Sequence, residues 1–129
     1  MRNQKLLNKQ QGFTLVEIIA VLIILGILAA VAVPRYIDLE ANAKQRAIDT
    51  AISELNGREG LVWADQKISA SGYISDAKTF SQINTDLGGD YQWDPFNPIA
   101  TGGTLNFKGI SVNLNRTQSQ ISQPAVWSR

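Results

Sequence analysis

The sequence predicts an α+β fold in which a long N-terminal helix packs on a small antiparallel sheet. Three observations predict it. The 21 residues Phe13–Val33 carry a single charge, and apolar residues after Pro34 recur at helical spacing. In the second half of the chain, short segments alternate apolar and polar residues between glycines and prolines. A helical pattern followed by strand patterns is typical of an α+β domain.

The stretch Phe13–Val33 has the length and composition of a transmembrane helix. At a rise of 1.5 Å per residue it spans about 31 Å, close to the thickness of a bilayer core. Three basic residues, Arg2, Lys5 and Lys9, precede it, and all 11 acids of the chain follow it or lie within it. Because basic flanks stay in the cytoplasm, we predict a cytoplasmic N-terminus and an exported C-terminal part.

The composition excludes most kinds of catalytic site. The 129 residues include no His and no Cys. A Ser-His-Asp triad, a Cys-His pair, a thiolate or imidazole zinc site, a redox dithiol and a disulfide each lack a necessary part. The balance of 12 basic residues against 11 acids gives no basic surface for nucleic acid. We therefore predict a protein that is not an enzyme, needs no cofactor and binds no nucleic acid.

Glu17 is the residue that an ordinary membrane segment does not explain, because a carboxylate costs about 2.5 to 3.5 kcal/mol at the bilayer centre and less near its edge. One interpretation is a secretory signal cut after Ala32, which would release 97 residues (129 minus 32). A second is an uncut anchor. A third is a cut between Gly12 and Phe13, which gives Glu17 a cation, since the new α-amino group lies four residues before it. Such a pair could set the register of packed helices, which predicts a polymer.

The same residues resemble a known family. The stretch Gly12–Glu17 (GFTLVE) is followed by Ile24–Ala30 (ILGILAA) and then by Pro34. This combination of Gly, Phe, Glu and Pro at fixed spacing is similar to the N-terminal signature of type IV pilins and of the pseudopilins of type II secretion. The resemblance covers about the first 40 residues.

The resemblance implies a role for each residue of the signature. A prepilin peptidase would cut after Gly12 and methylate the new amine of Phe13. Glu17 would support assembly and recognition by a neighbouring subunit. Gly26 and Pro34 fall where the helix of this family bends or melts in the filament. For Pro34 this agrees with its chemistry, because proline removes an amide donor and clashes with the preceding turn of a helix.

As a function, the resemblance implies a structural subunit of a type IV filament, either the pseudopilus of a type II secretion system or a type IV pilus. Its partners would be copies of itself, related pilins or pseudopilins, prepilin peptidase and the inner-membrane assembly platform. It would cross the bacterial inner membrane once, with a cytoplasmic leader and a periplasmic head, before joining a periplasmic or extracellular filament. Two alternatives stay open, namely a minor pilin that acts as an anchored adhesin-like binding module and an ordinary exported domain cut after Ala32.

Two further features bear on the kind of filament. Residues 34–40 (PRYIDLE) are similar to the stretch after the proline in mannose-sensitive haemagglutinin pilins. Many type IV pilins close their C-terminal loop with a disulfide, which a chain without Cys cannot form. This departure favours a pseudopilin, or a minor or unusual pilin.

The sequence predicts four segments. Residues 1–12 form the leader, and residues 13–34 form the membrane-spanning and assembly half of the helix. Residues 35–64 form its amphipathic half, and residues 65–129 form a small head with short strands. Gly57 lies close to the predicted end of the helix, where glycine favours termination.

One apolar stripe predicts the amphipathic half of the helix, because its members recur at three-, four- and seven-residue steps. Two acid-before-base pairs at a spacing of four, Glu40 with Lys44 and Glu54 with Arg58, support the same helix. The stripe comprises Ile37, Ala41, Ile48, Ala51, Ile52, Leu55 and Val62.

In the head, Lys108-Gly109 between two alternating segments predicts a β-hairpin, with a single bulged strand as the alternative. A further short strand is predicted near residues 125–128. The sheet and the helix would bury their apolar faces against each other. The predicted contributors are Leu105, Phe107, Ile110, Val112 and Leu114 from the sheet and Ile48, Ile52 and Leu55 from the helix.

Other chemical signals in the head are weak. Asp86, Asp90 and Asp94 are oxygen ligands that could surround calcium, as the C-terminal loop of major pseudopilins does. Their spacing matches no EF-hand, so a solvated loop is the favoured interpretation.

Asn115-Arg116-Thr117 has the form of a glycosylation sequon, a three-residue pattern that often arises by chance. Five aromatic residues from the end of the helix and from the head are interpreted as packing residues rather than as a ligand platform. They are Trp63, Tyr91, Trp93, Phe96 and Trp127.

Overall fold

The computed structural model of the protein describes residues 12–129, with the side chains of 95–97 outside the description. Predictions for residues 1–11, including the basic residues of the leader, therefore lie outside the described residues, as does the packing predicted for the Phe96 side chain. The elements are helices α1 (Leu15–Ile68) and α2 (Asp76–Phe80) and strands β1 (Tyr91–Ile99), β2 (Gly102–Phe107), β3 (Ile110–Thr117) and β4 (Val126–Ser128). The predicted α+β class is confirmed.

The chain divides into two compact units, Met1–Leu39 and Glu40–Arg129. Every described residue of the first unit is exposed, and its described part is helical from Leu15 onward. The second unit, from here on called the head, is larger than the predicted head of residues 65–129, because it also contains the rest of α1 beside the short helix α2 and the sheet.

The four strands of the head form an antiparallel sheet in the order β1-β2-β3-β4. Its central hairpin turns at Lys108 and Gly109, whose φ angles of 46° and 86° are those of a type I′ turn. Phe107 pairs with Ile110 across this turn, which confirms the predicted hairpin. Strand β4 lies within the predicted range 125–128 and pairs with β3.

The core of the head lies between the sheet and the second half of α1. Its helix side includes Ile48 and Leu55 as predicted, and Ile52 is partly buried against them. Ile37 belongs to the predicted stripe but is 61% exposed, in the unit that precedes the head. The buried residues of the core are Ile48, Ala51, Leu55, Leu105, Leu114 and Trp127.

Helix α1 differs from its predicted bounds at both ends. It begins at Leu15 rather than Phe13, and it ends at Ile68 rather than near residue 64. The extra turn is held by tertiary contacts, since buried Gln66 hydrogen-bonds the side chains of Thr79 and Gln82 at 3.0 and 2.9 Å. These partners lie beyond the end of α1, so a glycine inside the helix, such as Gly57, does not predict where the helix ends.

A buried ionic cluster joins α1, α2 and β3. The Arg116 side chain, on the core-facing side of β3, is fully buried and pairs with Glu59 of α1 and Asp76 of α2. Sequence reasoning did not find this cluster, because its members are 57 and 40 residues from Arg116 along the chain.

Candidate processing and assembly segment

The Gly12–Phe13 bond lies ahead of the helix, in residues without regular secondary structure. Both residues are exposed, and the Phe13 side chain is 84% accessible. A Cβ added to Gly12 would meet nothing within 4 Å, so the fold of the described residues does not itself require glycine there. A requirement for Gly12 would therefore come from a molecule that binds this segment.

Thr14 and Glu17 form a reciprocal hydrogen-bonded pair at the first turn of α1. The backbone N–H and the hydroxyl of Thr14 donate to Glu17 Oε2 at 2.7 and 2.9 Å. The Glu17 backbone N–H donates to Thr14 Oγ1 at 3.3 Å. This is a capping box, which satisfies two backbone donors that a helix start leaves without partners.

The predictions from the sequence do not include this capping role, although a Thr-x-x-Glu pattern before an apolar run is its usual signal. Both Thr14 bonds go to Oε2, so among the described residues Oε1 of Glu17 has no hydrogen-bond partner. One carboxylate can thus hold the helix start with one oxygen and offer the other to a cation.

The surface that surrounds Glu17 is apolar and exposed. From Ile18 to Val33 every residue is apolar or Gly, and all of them are exposed in the single chain. Helix α1 is long and apolar enough to cross a membrane, and its most apolar 18-residue window has a mean hydropathy of 3.0 with no part buried. So large an apolar surface requires lipid or protein neighbours.

Gly26 and Pro34 both lie inside α1, which is continuous through them in the single chain. A Cβ at Gly26 would meet no atom within 4 Å, so no close contact of the described residues explains the glycine. The helix break that the family resemblance implies for these two residues concerns the filament and stays a prediction.

The three acids considered as calcium ligands, Asp86, Asp90 and Asp94, form no metal-binding group in the described residues. Asp90 pairs with Lys108 at 3.3 Å, and Asp86 Oδ1 accepts a hydrogen bond from the Gly88 backbone at 2.9 Å. Among residues 12–129 no group of three acids is arranged to hold a metal ion. The calcium alternative at Asp86, Asp90 and Asp94 therefore gains no support from the described residues, in which Asp86 and Asp90 make local contacts.

Three of the predicted aromatic packing residues, Tyr91, Trp93 and Trp127, pack in the head. Trp127 is buried against Trp93 with their ring centroids 5.7 Å apart, and the Tyr91 ring lies 4.6 Å from that of Phe107. The polar atoms also find partners, since Tyr91 Oη donates to the Ala47 carbonyl and Trp93 Nε1 to the Thr85 carbonyl. In the sequon, Asn115 is exposed on β3.

With this geometry established, comparison with known proteins identifies the family. Residues 7–33 match the Prokaryotic N-terminal methylation motif. Over 116 residues the chain is 36% identical to the type IV narrow pilus major component of Thermus thermophilus, with 81% of this chain and 99% of that protein covered. The chain belongs to the type IV pilin family. The motif includes Gly12, Phe13, Glu17 and Gly26 of this pilin, and Pro34 follows it directly.

Two further relatives of this pilin are named as major pilins. The type IV major alpha-pilin of Moraxella bovis is 41% identical over 138 residues, which cover 95% of this chain and 86% of that protein. The type IV major pilin protein of Neisseria gonorrhoeae is 45% identical over 131 residues, which cover 93% of this chain and 63% of that protein. Other curated fimbrial proteins match over less than half of their own length. No solved structure matches this pilin significantly.

Proposed function

We propose that this pilin is a structural subunit of a type IV pilus. It is made as a precursor in the bacterial inner membrane, cut between Gly12 and Phe13 by prepilin peptidase, methylated at Phe13 and assembled through α1. The observation that carries the proposal is the exposed apolar helix with a single carboxylate at its start, in a chain that matches a major pilus component along nearly its whole length. The Thermus, Moraxella and Neisseria relatives are pilus proteins, which favours a pilus over a secretion pseudopilus.

The position of the cut is supported by the local backbone. Peptidases bind extended substrate, and the Gly12–Phe13 bond lies before α1 in irregular, exposed chain. The Ala32–Val33 bond, which an ordinary signal peptidase would cut, lies inside the helix. A cut at Gly12 also keeps the apolar segment on the mature protein, where it can serve assembly.

Glu17 gives the assembly its specificity. After the cut, the α-amino group of Phe13 supplies a cation three residues before Val16 and four before Glu17. In an apolar surrounding, a charge is stable only when it is paired, so an unpaired Glu17 favours a position beside the amine of a neighbour or of its own chain. Apolar side chains of neighbouring helices then replace lipid around the rest of the segment.

The partners and the topology follow from the same features. The basic leader holds the N-terminus in the cytoplasm, and the head folds in the periplasm. The partners are copies of this chain, related pilins, prepilin peptidase and the assembly platform of the inner membrane.

Intact mass and N-terminal sequencing of the mature protein test the processing step. We expect a chain of 117 residues (129 minus 12) that begins with methylated Phe13. A start at Val33 would indicate an ordinary exported domain, and an intact Met1 would indicate a plain anchor. Either result would overturn the proposed processing.

Replacement of Glu17 tests the assembly step. Glu17→Ala should leave insertion and cleavage intact but reduce sheared surface filaments at least about tenfold, because the pair that sets helix register is lost. Glu40→Ala is the matched control, since it makes the same Glu-to-Ala change in a partly exposed ion pair farther along α1. Normal filaments from Glu17→Ala would contradict the mechanism.

A further inference from the structure

Arg116 lies at the centre of the most extensive polar network in the described residues, and every N–H of its guanidinium has an acceptor. Nε and Nη2 donate to the two carboxylate oxygens of Glu59. Nη1 and Nη2 donate to the two oxygens of Asp76, both at 2.8 Å, and Nη1 also donates to the Ala100 carbonyl at 2.8 Å. The Phe80 ring lies 4.8 Å from the guanidinium carbon. Such complete, planar pairing is specific to arginine.

The network joins parts of the head that are far apart in sequence. Glu59 belongs to α1, Asp76 begins α2, and Ala100 lies in the turn between β1 and β2. Glu59 Oε1 also accepts the indole N–H of Trp127 in β4 at 2.9 Å. Asp76 Oδ1 accepts the backbone N–H and the hydroxyl of Ser119, at 2.7 and 2.8 Å.

A second contact holds the C-terminal strand to the same helix. Asn56 donates through Nδ2 to the Trp127 carbonyl at 3.0 Å and accepts the Trp127 N–H through Oδ1 at 2.6 Å. The Asn56 side chain thus bonds the backbone of β4 as a neighbouring strand would. Because β4 has only three residues, it depends on such contacts to remain in the sheet.

We propose that Arg116, Glu59 and Asp76 form an ionic clasp that closes the head. The clasp fixes both the connector 69–80, which contains α2, and the strand β4 onto α1. The chain has no Cys, so closure of its C-terminal part must be noncovalent. The clasp concerns the folding of the head and does not depend on the proposed filament function.

The burial of the clasp makes its parts interdependent. The side chains of Arg116 and Glu59 are fully buried, and that of Asp76 is 12% exposed. Loss of the cation leaves the carboxylates of Glu59 and Asp76 without a countercharge in a largely buried site, which is far more damaging than loss of an exposed ion pair. Both attached segments should therefore open together when Arg116 is removed.

Hydrogen exchange on the full chain in detergent micelles tests the clasp. Arg116→Met should raise the exchange rates of the amides in 69–80 and in β4 by about a hundredfold or more. Lys44→Met is the matched control, because it removes the cation of a partly exposed ion pair on α1, and it should leave these rates unchanged. Unchanged exchange in either segment of the Arg116→Met variant would overturn the proposal.

Two milder variants keep the test decisive if Arg116→Met does not fold. Asp76→Asn should raise exchange mainly in 69–80. Glu59→Gln should raise it in β4 as well, since Glu59 also holds Trp127. Protection at the wild-type level in both variants would overturn the clasp, as would a rise confined to the strand residues beside Arg116.

Discussion

Glu17 has two roles at the residue scale. Its Oε2 accepts the Thr14 N–H and hydroxyl, which completes the first turn of α1. Backbone donors without partners cost several kcal/mol in lipid, so the capping box suits a helix that starts within a membrane. The same carboxylate is the only charge between Phe13 and Val33, which makes it the natural partner of a new amine. Thr14 therefore positions the side chain on which the proposed assembly depends.

Replacement of Thr14 by valine should weaken assembly without abolishing it. Thr14→Val keeps the side-chain shape but removes the hydroxyl that donates to Glu17, a change that typically costs about 0.5 to 2 kcal/mol at a helix cap. We expect a several-fold decrease in sheared filaments, measured against the membrane pool by immunoblot. Thr50→Val is the control, because Thr50 bonds only the Arg46 carbonyl in the middle of α1. Equal filament yields from both variants would argue against a positioning role.

At the scale of the element, α1 is one helix with two different surroundings. Its first part presents an exposed apolar surface, whereas its second part buries Ile48, Ala51 and Leu55 beneath the sheet. Gly26 lies in the first part, where an added Cβ has open space. Because the family resemblance places Gly26 where the helix bends or melts in the filament, we propose that this glycine serves assembly, through a bend of the helix or a close neighbour.

Gly26→Ala tests whether the glycine matters in the isolated helix or in the filament. It should stabilise the isolated helix by about 0.5 to 1 kcal/mol, because glycine is the poorer helix former. We nevertheless expect fewer filaments, measured by electron microscopy and by shearing, with membrane insertion unchanged. Gly57→Ala is the matched control, since Gly57 is also inside α1 with open space around its Cα. Wild-type assembly of Gly26→Ala would show that the glycine serves no purpose in the filament.

At the scale of the whole molecule, the ionic clasp makes the stability of the head depend on pH. Burial alone raises the pKa of Asp76, but hydrogen bonds from Arg116 and Ser119 outweigh it and lower the pKa below its ordinary value of 3.8. The pKa of Arg116 is raised because its bonds to Glu59 and Asp76 outweigh its own burial, so it stays charged. The stabilisation from Asp76 is therefore present above the unfolded pKa and is lost as the pH falls through the folded pKa.

Thermal unfolding of the full chain in detergent, from about pH 6 down to about pH 2, measures this effect. The melting temperature of the wild type should fall more steeply below about pH 4 than that of Asp76→Asn, which should already be less stable at neutral pH. Asp90→Asn changes an exposed acid and should follow the wild type. Parallel curves for the wild type and Asp76→Asn would contradict the assigned pKa direction.

Much of this fold could be predicted because its signals are local. The apolar run, the helical stripe and the Lys108-Gly109 turn each depend on residues that are neighbours in sequence. The ion pairs of Arg116 with Glu59 and Asp76 and the contact of Asn56 with Trp127 could not be predicted in this way, since each joins residues at least 40 positions apart. The prediction for the end of α1 is likewise wrong, because the bonds of Gln66 to Thr79 and Gln82, which lie beyond the helix, extend α1 to Ile68.

The sequence by itself determined an apolar segment long enough to span a membrane, the motif around Gly12, Phe13 and Glu17, and the α+β class, because periodicity and charge spacing are properties of the local chain. Only the tertiary structure decided how the head closes. A charged Arg on a strand has the same appearance in sequence whether it faces water or the core. Tertiary packing places Arg116 between Glu59 and Asp76. Because the dielectric constant of the surrounding core is low, these charges must be paired there.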